Sequence, residues 1–271
     1  ETSLTTSVLA TGVPRQFLQF KYDYLGRRVR KTVSNWNGSA YVAAVDRKFI
    51  YNGWNLVGEY NAGSPSTLVN TYLWGLDLSG NLTDGGGVGG LLAIMDTASG
   101  TIHLPAYDAN GNIHALVNRA VGTVTAAYEY SPFGETLRAT GSYAAANAFR
   151  FSTKYTDSET QFIYYGYRYY SPTLGRWLGR DPLEETGGLH LYAFCGNNAV
   201  NSWDGLGQTQ VIDQYGAIPD EGAYAEAHPE LKQLDSADWY DAAKDIKYAF
   251  HEEADPANQT NNIYSISEEL A

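Results

Sequence analysis

The sequence predicts a mainly β fold of antiparallel hairpins, followed by a small α-helical C-terminal appendage, and three observations carry that expectation. The 271 residues include 22 Tyr and 28 Gly; Tyr suits pleated, half-buried positions and Gly suits turns. One turn pattern recurs along the chain, with Tyr at its start and Gly four positions on. Between these turns apolar residues alternate with period two, whereas after Gln208 the period lengthens to near 3.6.

The recurrent turns are YDYLG (Tyr22 to Gly26), YDANG (Tyr107 to Gly111) and YSPFG (Tyr130 to Gly134), with YNGWN at Tyr51 as a looser copy. In each, Tyr ends a strand, an Asp or Ser oxygen caps the turn, and Gly accepts a positive φ. GNIHALVN and GTVTAAYEY read as a hairpin, with Ile113, Ala115 and Val117 on one face and Val124, Ala126, Tyr128 and Tyr130 on one face of the next strand. QFIYYGYRYY reads as one strand, with Tyr165, Tyr167 and Tyr169 on one face and Tyr164, Arg168 and Tyr170 on the other. GGGVGG (Gly85 to Gly90) has too little side chain to pack by itself and reads as a flexible loop.

Beyond Gln208, Trp239, Ala243, Ile246 and Phe250 mark one face of a helix with Ser236 as N-cap, and AYAEAHPELKQL forms a shorter one broken at Pro229. The division is therefore a β core over 1–208 and an acidic, partly helical segment over 209–271. That segment holds 14 Asp plus Glu against 3 Lys, nearly all of the chain's net charge of −12. No basic stripe is present, which argues against nucleic-acid binding. No apolar run is long enough for a membrane helix, so insertion into a bilayer is not expected. The only Met is Met95, so Glu1 is not a translation start and the chain reads as a mature or excised part of a longer product.

The stretch from YEYSPFGETLRATG through QFIYYGYRYYSPTLGRWLGRDP and GGLHLY to NNAVNSWDGLG resembles the RHS-repeat-associated core, and the YDxxG copies upstream resemble YD repeats. The likeness to the RHS/YD-repeat family covers roughly Tyr22 to Gln208. It implies a curled or spiral sheet of hairpins, part of an exported shell, extracellular or at the cell surface, that encloses a variable C-terminal segment. It also implies a self-cleaving aspartyl protease. Matched residue by residue, the paired carboxylates are Asp181 and Asp204, Arg180 is a cation that orients them, and the scissile bond joins Gln208 to Thr209. Such a pair shares one proton, one carboxylate activating water while the other donates to the scissile carbonyl. The sequence departs from the family pattern at Gly205, where Pro is usual, at Gln208, where a large apolar residue is usual, and at Glu184 and His190. Glu184 is expected to bring a third carboxylate near Asp181.

The function expected is a structural scaffold that encloses, presents or assembles with the C-terminal segment or copies of itself, with Asp181 and Asp204 as turn residues beside Pro182 and Gly205. The alternative is the core-plus-cargo end of a polymorphic toxin released by the cut after Gln208. A body this short does not close a large shell, so its sheet edge is expected to pair with the C-terminal segment, with its own precursor or with copies of itself. No cofactor is expected. His103, His114, His190, His228 and His251 lack metal-ligand spacing, so no metal is expected either. Cys195 reads as a small buried apolar residue, and the Tyr and Trp surplus as core ladders rather than sugar platforms.

Overall fold

The computed structural model describes residues 2–5, 14–82, 85–187, 189–208 and 212–213. The chain divides into two compact units, Glu1–Gln210 and Val211–Ala271. Of the second, only the short strand Ile212–Asp213 is described, so both helices expected beyond Gln208 lie outside the described residues.

The first unit is built on one antiparallel sheet of eleven strands: β1 (Thr2–Thr5), β2 (Gln16–Tyr22), β3 (Arg28–Trp36), β4 (Tyr41–Asn52), β5 (Asn55–Asn61), β6 (Thr67–Trp74), β7 (Leu91–Asp96), β8 (Thr101–Tyr107), β9 (Ile113–Asn118), β10 (Val124–Tyr130) and β11 (Thr136–Thr140). Each strand pairs with its successor, and the sheet stays open, with β1 and β11 at its ends. The Ile113 to Tyr130 hairpin forms, with Val124 opposite Val117 and Ala127 opposite Ala115. Register shifts, however, break the expected faces: Leu116 is buried with Ile113, Ala115 and Val117 are half-buried, and Val124 is exposed while Ala126 and Tyr128 are buried. The turn chemistry also holds. Asp23 Oδ1 accepts from the Leu25 and Arg27 amides, Asp108 Oδ1 from those of Asn110 and Asn112, and Ser131 Oγ from that of Glu135.

The recurrent Tyr has a further role. Eight of the ten pairings in this sheet carry a register shift, and such bulges bend and twist strands, which curls the sheet. Tyr22, Tyr51, Tyr107 and Tyr130 each sit at one of these shifts. A bulge frees a carbonyl, and the tyrosine hydroxyls supply donors nearby. Tyr51 donates to the Arg28 carbonyl at 3.0 Å, Tyr130 to that of Ile113 at 2.7 Å, and Tyr107 to that of Leu91.

The buried face of the sheet carries Phe49, Leu56, Tyr72, Leu91, Ile94, Ile113, Leu116, Ala126 and Tyr128, packed against Tyr143, Ala144 and Phe149 from the chain after β11. That later chain folds into a second, four-stranded sheet of β12 (Tyr155–Thr156), β13 (Ile163–Tyr164), β14 (Tyr169–Ser171) and β15 (Arg176–Trp177). QFIYYGYRYY is therefore two strands, not one. Ile163 pairs with Tyr170 and Tyr164 with Tyr169, and the Tyr165 amide donates to the Arg168 carbonyl across a tight turn. The cause is Gly166, whose φ of +118° no β-carbon-bearing residue adopts readily and whose missing side chain makes room for the Trp54 ring.

A buried ion cluster joins the two sheets. Asp157, 1% exposed, lies 2.6 Å from Arg28 Nη1 and 2.9 Å from Lys31 Nζ, and Lys31 also reaches Glu159 at 2.6 Å. The Arg28 guanidinium is enclosed by the rings of Phe20, Phe49, Tyr155 and Tyr164, all within 5.3 Å. Burial pushes the Asp157 carboxyl up, but Arg28 and Lys31 outweigh it and hold the group below the usual carboxylate range. A depressed native value makes the contribution full above the unfolded value of about 3.9 and lost as pH falls through the native one. Asp157→Asn, which leaves two buried cations short of a partner, is expected to cost ~3–5 kcal/mol in urea unfolding at neutral pH. The gap to wild type narrows on acidification; an unchanged midpoint at neutral pH contradicts this assignment.

Candidate functional site

The turn at Gly166 aims Arg168 inward, and the carboxylates expected from sequence converge on it. Asp181 follows β15, its amide bonded to the Leu191 carbonyl at 3.0 Å and its Oδ1 accepting from the Leu183 amide at 2.9 Å. Asp204 follows β16 (Ser202–Trp203), and its Oδ1 accepts from the Leu206 amide at 3.1 Å and the Gly207 amide at 2.6 Å. Arg168 bridges them, with Nη1 2.9 Å from Asp181 Oδ2 and Nη2 3.4 Å from Asp204 Oδ2. All three side chains are buried. The guanidinium lies 4.2 Å from the Trp177 ring centroid, inside an aromatic cluster of Tyr165, Tyr170, Trp177 and Phe194.

The cation between the carboxylates is thus Arg168, and the expectation for Arg180 is corrected. Arg180 is exposed and makes no ion pair among the described residues. The physical signal for Arg168 was present in the sequence: an Arg within a tyrosine-rich run that must bury needs an anion. Glu184 does not enter the site either; its side chain is exposed, as is that of His190. Cys195 is buried and its thiol is pushed up by burial, which suits an inert packing residue.

The residues after Asp204 run along the Arg168 turn. The Tyr167 amide donates to the Leu206 carbonyl at 3.0 Å, and Arg168 Nε donates to the Gly207 carbonyl. Gln208 is half-buried, and Thr209 lies outside the described residues. GGGVGG is not a flexible loop. Gly85, Gly86, Gly87, Val88 and Gly90 are buried, the Leu78 amide donates to the Val88 carbonyl, and Asp77 Oδ2 accepts from the Gly87 amide at 3.1 Å. A Cβ on Gly86 would lie 2.1 Å from the Gly205 carbonyl oxygen, so two glycine backbones meet directly beside Asp204. A Cβ at Gly205 would in turn lie 3.1 Å from the Gly85 carbonyl carbon, a tight contact.

Burial pushes the Asp204 carboxyl up to about 7, against the opposing pull of Arg168, the Gly207 amide and Lys154. Its Oδ1 is committed to two amides, so Oδ2 is the oxygen available to a proton. One carboxylate closely paired with Arg168, beside a second pushed up to about 7 by burial, is an arrangement that can divide acid and base roles. Among the described residues no group of three or more His, Cys, Asp and Glu is arranged to hold a metal. No helix there is long and apolar enough to cross a membrane. Arg168→Gln is expected to move the titration of Asp204 upward by about 1 unit or more, since a nearby cation is lost. Carboxyl 13C NMR reads this directly, and an unmoved midpoint in the folded variant excludes Arg168 as the partner of Asp204.

Comparison with known proteins gives a consistent assignment of the fold. The sequence model of the family described as Teneurin YD-shell matches residues 13–200. Salivary gland surface protein 1 of Aedes aegypti is 30% identical over 82% of this chain, which spans 6% of that protein. Double-stranded DNA deaminase toxin A of Burkholderia cenocepacia is 27% identical over 73% of this chain and 14% of its own length. Toxin subunit YenC2 of Yersinia entomophaga is 41% identical over 31% of this chain and 9% of its own length. Among solved structures, the TcdB2-TccC3-Cdc42 crystal structure matches 76% of this chain and 10% of its own with a TM-score of 0.57 at 21% identity. The chain thus spans a small fraction of the relatives it matches.

Proposed function

Because the chain belongs to the teneurin YD-shell family, we propose that it is the end of an exported RHS-type β-shell whose Asp181–Arg168–Asp204 cluster cuts the chain between Gln208 and Thr209. The observation that carries this reading is the convergence of two buried carboxylates on one buried Arg whose Nε donates to the Gly207 carbonyl, one residue before Gln208. In the reaction, Asp181 takes a proton from water as that water attacks the Gln208 carbonyl carbon. Asp204 gives its proton to the carbonyl oxygen. Collapse of the tetrahedral intermediate breaks the C–N bond, and the Thr209 nitrogen leaves as an amine carrying a proton returned by the pair. Arg168 steadies Asp181 and, through the Gly207 carbonyl, the neighbouring peptide.

The released part is the acidic segment 209–271, which the shell encloses or presents until the cut. Two comparisons fit this arrangement. Relatives are named as a deaminase toxin and as tRNA nucleases, the latter from Bacillus, and one similar structure is described as lacking a hypervariable C-terminal region. A cargo activity for 209–271 is consistent with that company.

A second reading, an uncut scaffold that assembles with its own precursor or with copies of itself, is favoured by the open sheet. Among the described residues β11 pairs only with β10, and a free edge is a template for another strand. Intact mass of the purified chain after prolonged incubation separates the two. Self-cleavage predicts a break at Gln208–Thr209 that Asp181→Asn and Asp204→Asn each abolish. A single species at 29.7 kDa across the pH range leaves the scaffold.

A further inference from the structure

Lys154 is a buried cation used by neither the ion cluster at Asp157 nor the Arg168 bridge. It is 6% exposed, its Nζ donates to the Gly86 carbonyl, and its ammonium lies 5.5 Å from the Tyr165 ring centroid. An ammonium has three donors and is expensive to bury on neutral acceptors alone. Burial accordingly draws its proton affinity down, to about 8, while Asp204 and Asp77 pull the other way. Asp77 is already committed, accepting from the Ser79 amide at 2.9 Å, the Ser79 hydroxyl at 2.5 Å and the Gly87 amide at 3.1 Å. Asp204 accepts from the Leu206 and Gly207 amides on Oδ1 and, at the longer distance of 3.4 Å, from Arg168 Nη2 on Oδ2.

The geometry explains how a lysine far from Asp204 in sequence comes to act on it. Gly86, whose carbonyl holds Lys154, is the residue that abuts Gly205. Lys154 and Leu206 also line one cavity of about 40 Å³, with Thr153, Tyr165 and Gly86. That volume admits water.

We propose that Lys154 is a positioning residue for Asp204: seated under the glycine turn by the Gly86 carbonyl, its positive charge governs whether Asp204 carries a proton. The charged and titratable groups that act on Asp204 are Arg168 and Asp181 in the bridge and Lys154 at the Gly86 carbonyl, together with the Tyr165 hydroxyl and the Cys195 thiol. Arg168 and Lys154 together supply two positive charges against Asp181, Asp204 and Asp77. Neutralising Lys154 leaves one cation for three carboxylates, and Asp204 then retains its proton to higher pH. The proposal rests on the acid/base reading of the site, in which protonated Asp204 is the donor and cleavage fades as Asp204 ionises.

The test is a carboxyl 13C titration of the full chain from about pH 5 to about pH 10, with Asp labelled, on wild type, Lys154→Met and Lys154→Arg. The Asp204 midpoint is expected to rise by about 1 unit or more in Lys154→Met and to return to within about 0.3 unit of wild type in Lys154→Arg, which keeps the charge. The alkaline limb of self-cleavage moves with it. A folded Lys154→Met chain with an unmoved Asp204 midpoint overturns the proposal. Should that variant fail to fold, the reciprocal measurement decides: the Lys154 midpoint falls in Asp204→Asn, and an unmoved value there overturns the proposal equally. A wild type that never cuts, yet shows the coupled titration, removes the protease reading and leaves the coupling established.

Discussion

A carboxylate does not stay charged in a protein interior without partners, and Asp157 has two of them, both supplied by β3. Arg28 and Lys31 are separated from it by more than 120 residues, so the three charges are compensated only when the small sheet sits on the large one. β12 ends beside Asp157, and β13, β14 and β15 are hung from β12 in order. The position of Arg168, in the turn that joins β13 to β14, thus follows from the ion cluster through the short strands β12 and β13. Strands of two or three residues have few hydrogen bonds of their own, and aromatic packing around Trp177 and the Asp157 contacts hold them in place.

The site repeats the same device with a different balance. At Asp157 two carboxylates, counting Glu159, meet two cations, and the charge of Asp157 is stabilised. At Asp204 three carboxylates, counting Asp181 and Asp77, meet two cations, and burial lets one of them keep a proton near neutrality. Fold and chemistry here differ in the ratio of charges rather than in the kind of contact. The close approach of Gly86 to Gly205 permits this by allowing backbone, with no side chain between, to seal the Asp204 turn.

Much of the large sheet was legible because its information is local. Period-two alternation and the Tyr-to-Gly turns lie within single hairpins, and Asp23, Asp108 and Ser131 act on amides no more than four residues away. Asp181 and Asp204 were legible only through family resemblance, since nothing in their spacing fixes a contact. What failed to be read depends on distant partners. Alternation in YYGYRYY is the same for a strand and for two halves of a hairpin, and the Trp54 ring that fills the space beside Gly166 comes from far back in the chain. Arg180 is next to Asp181 in sequence but lies outside the buried cluster, whereas Arg168 meets it from across the turn. GGGVGG looked unable to pack because its partner, Gly205, is itself a glycine far along the chain.

As a member of its family the chain offers a short, open piece of curled sheet with a polar site at its C-terminal end, and both the cutting and scaffold readings require that the small sheet be held on the large one. A double-mutant cycle on Arg28→Met and Asp157→Leu, read by equilibrium urea unfolding, tests that requirement most directly. The account predicts a coupling energy of at least about 2 kcal/mol, with the double variant more stable than the single losses sum to. Strictly additive losses, with coupling below about 0.3 kcal/mol, contradict it.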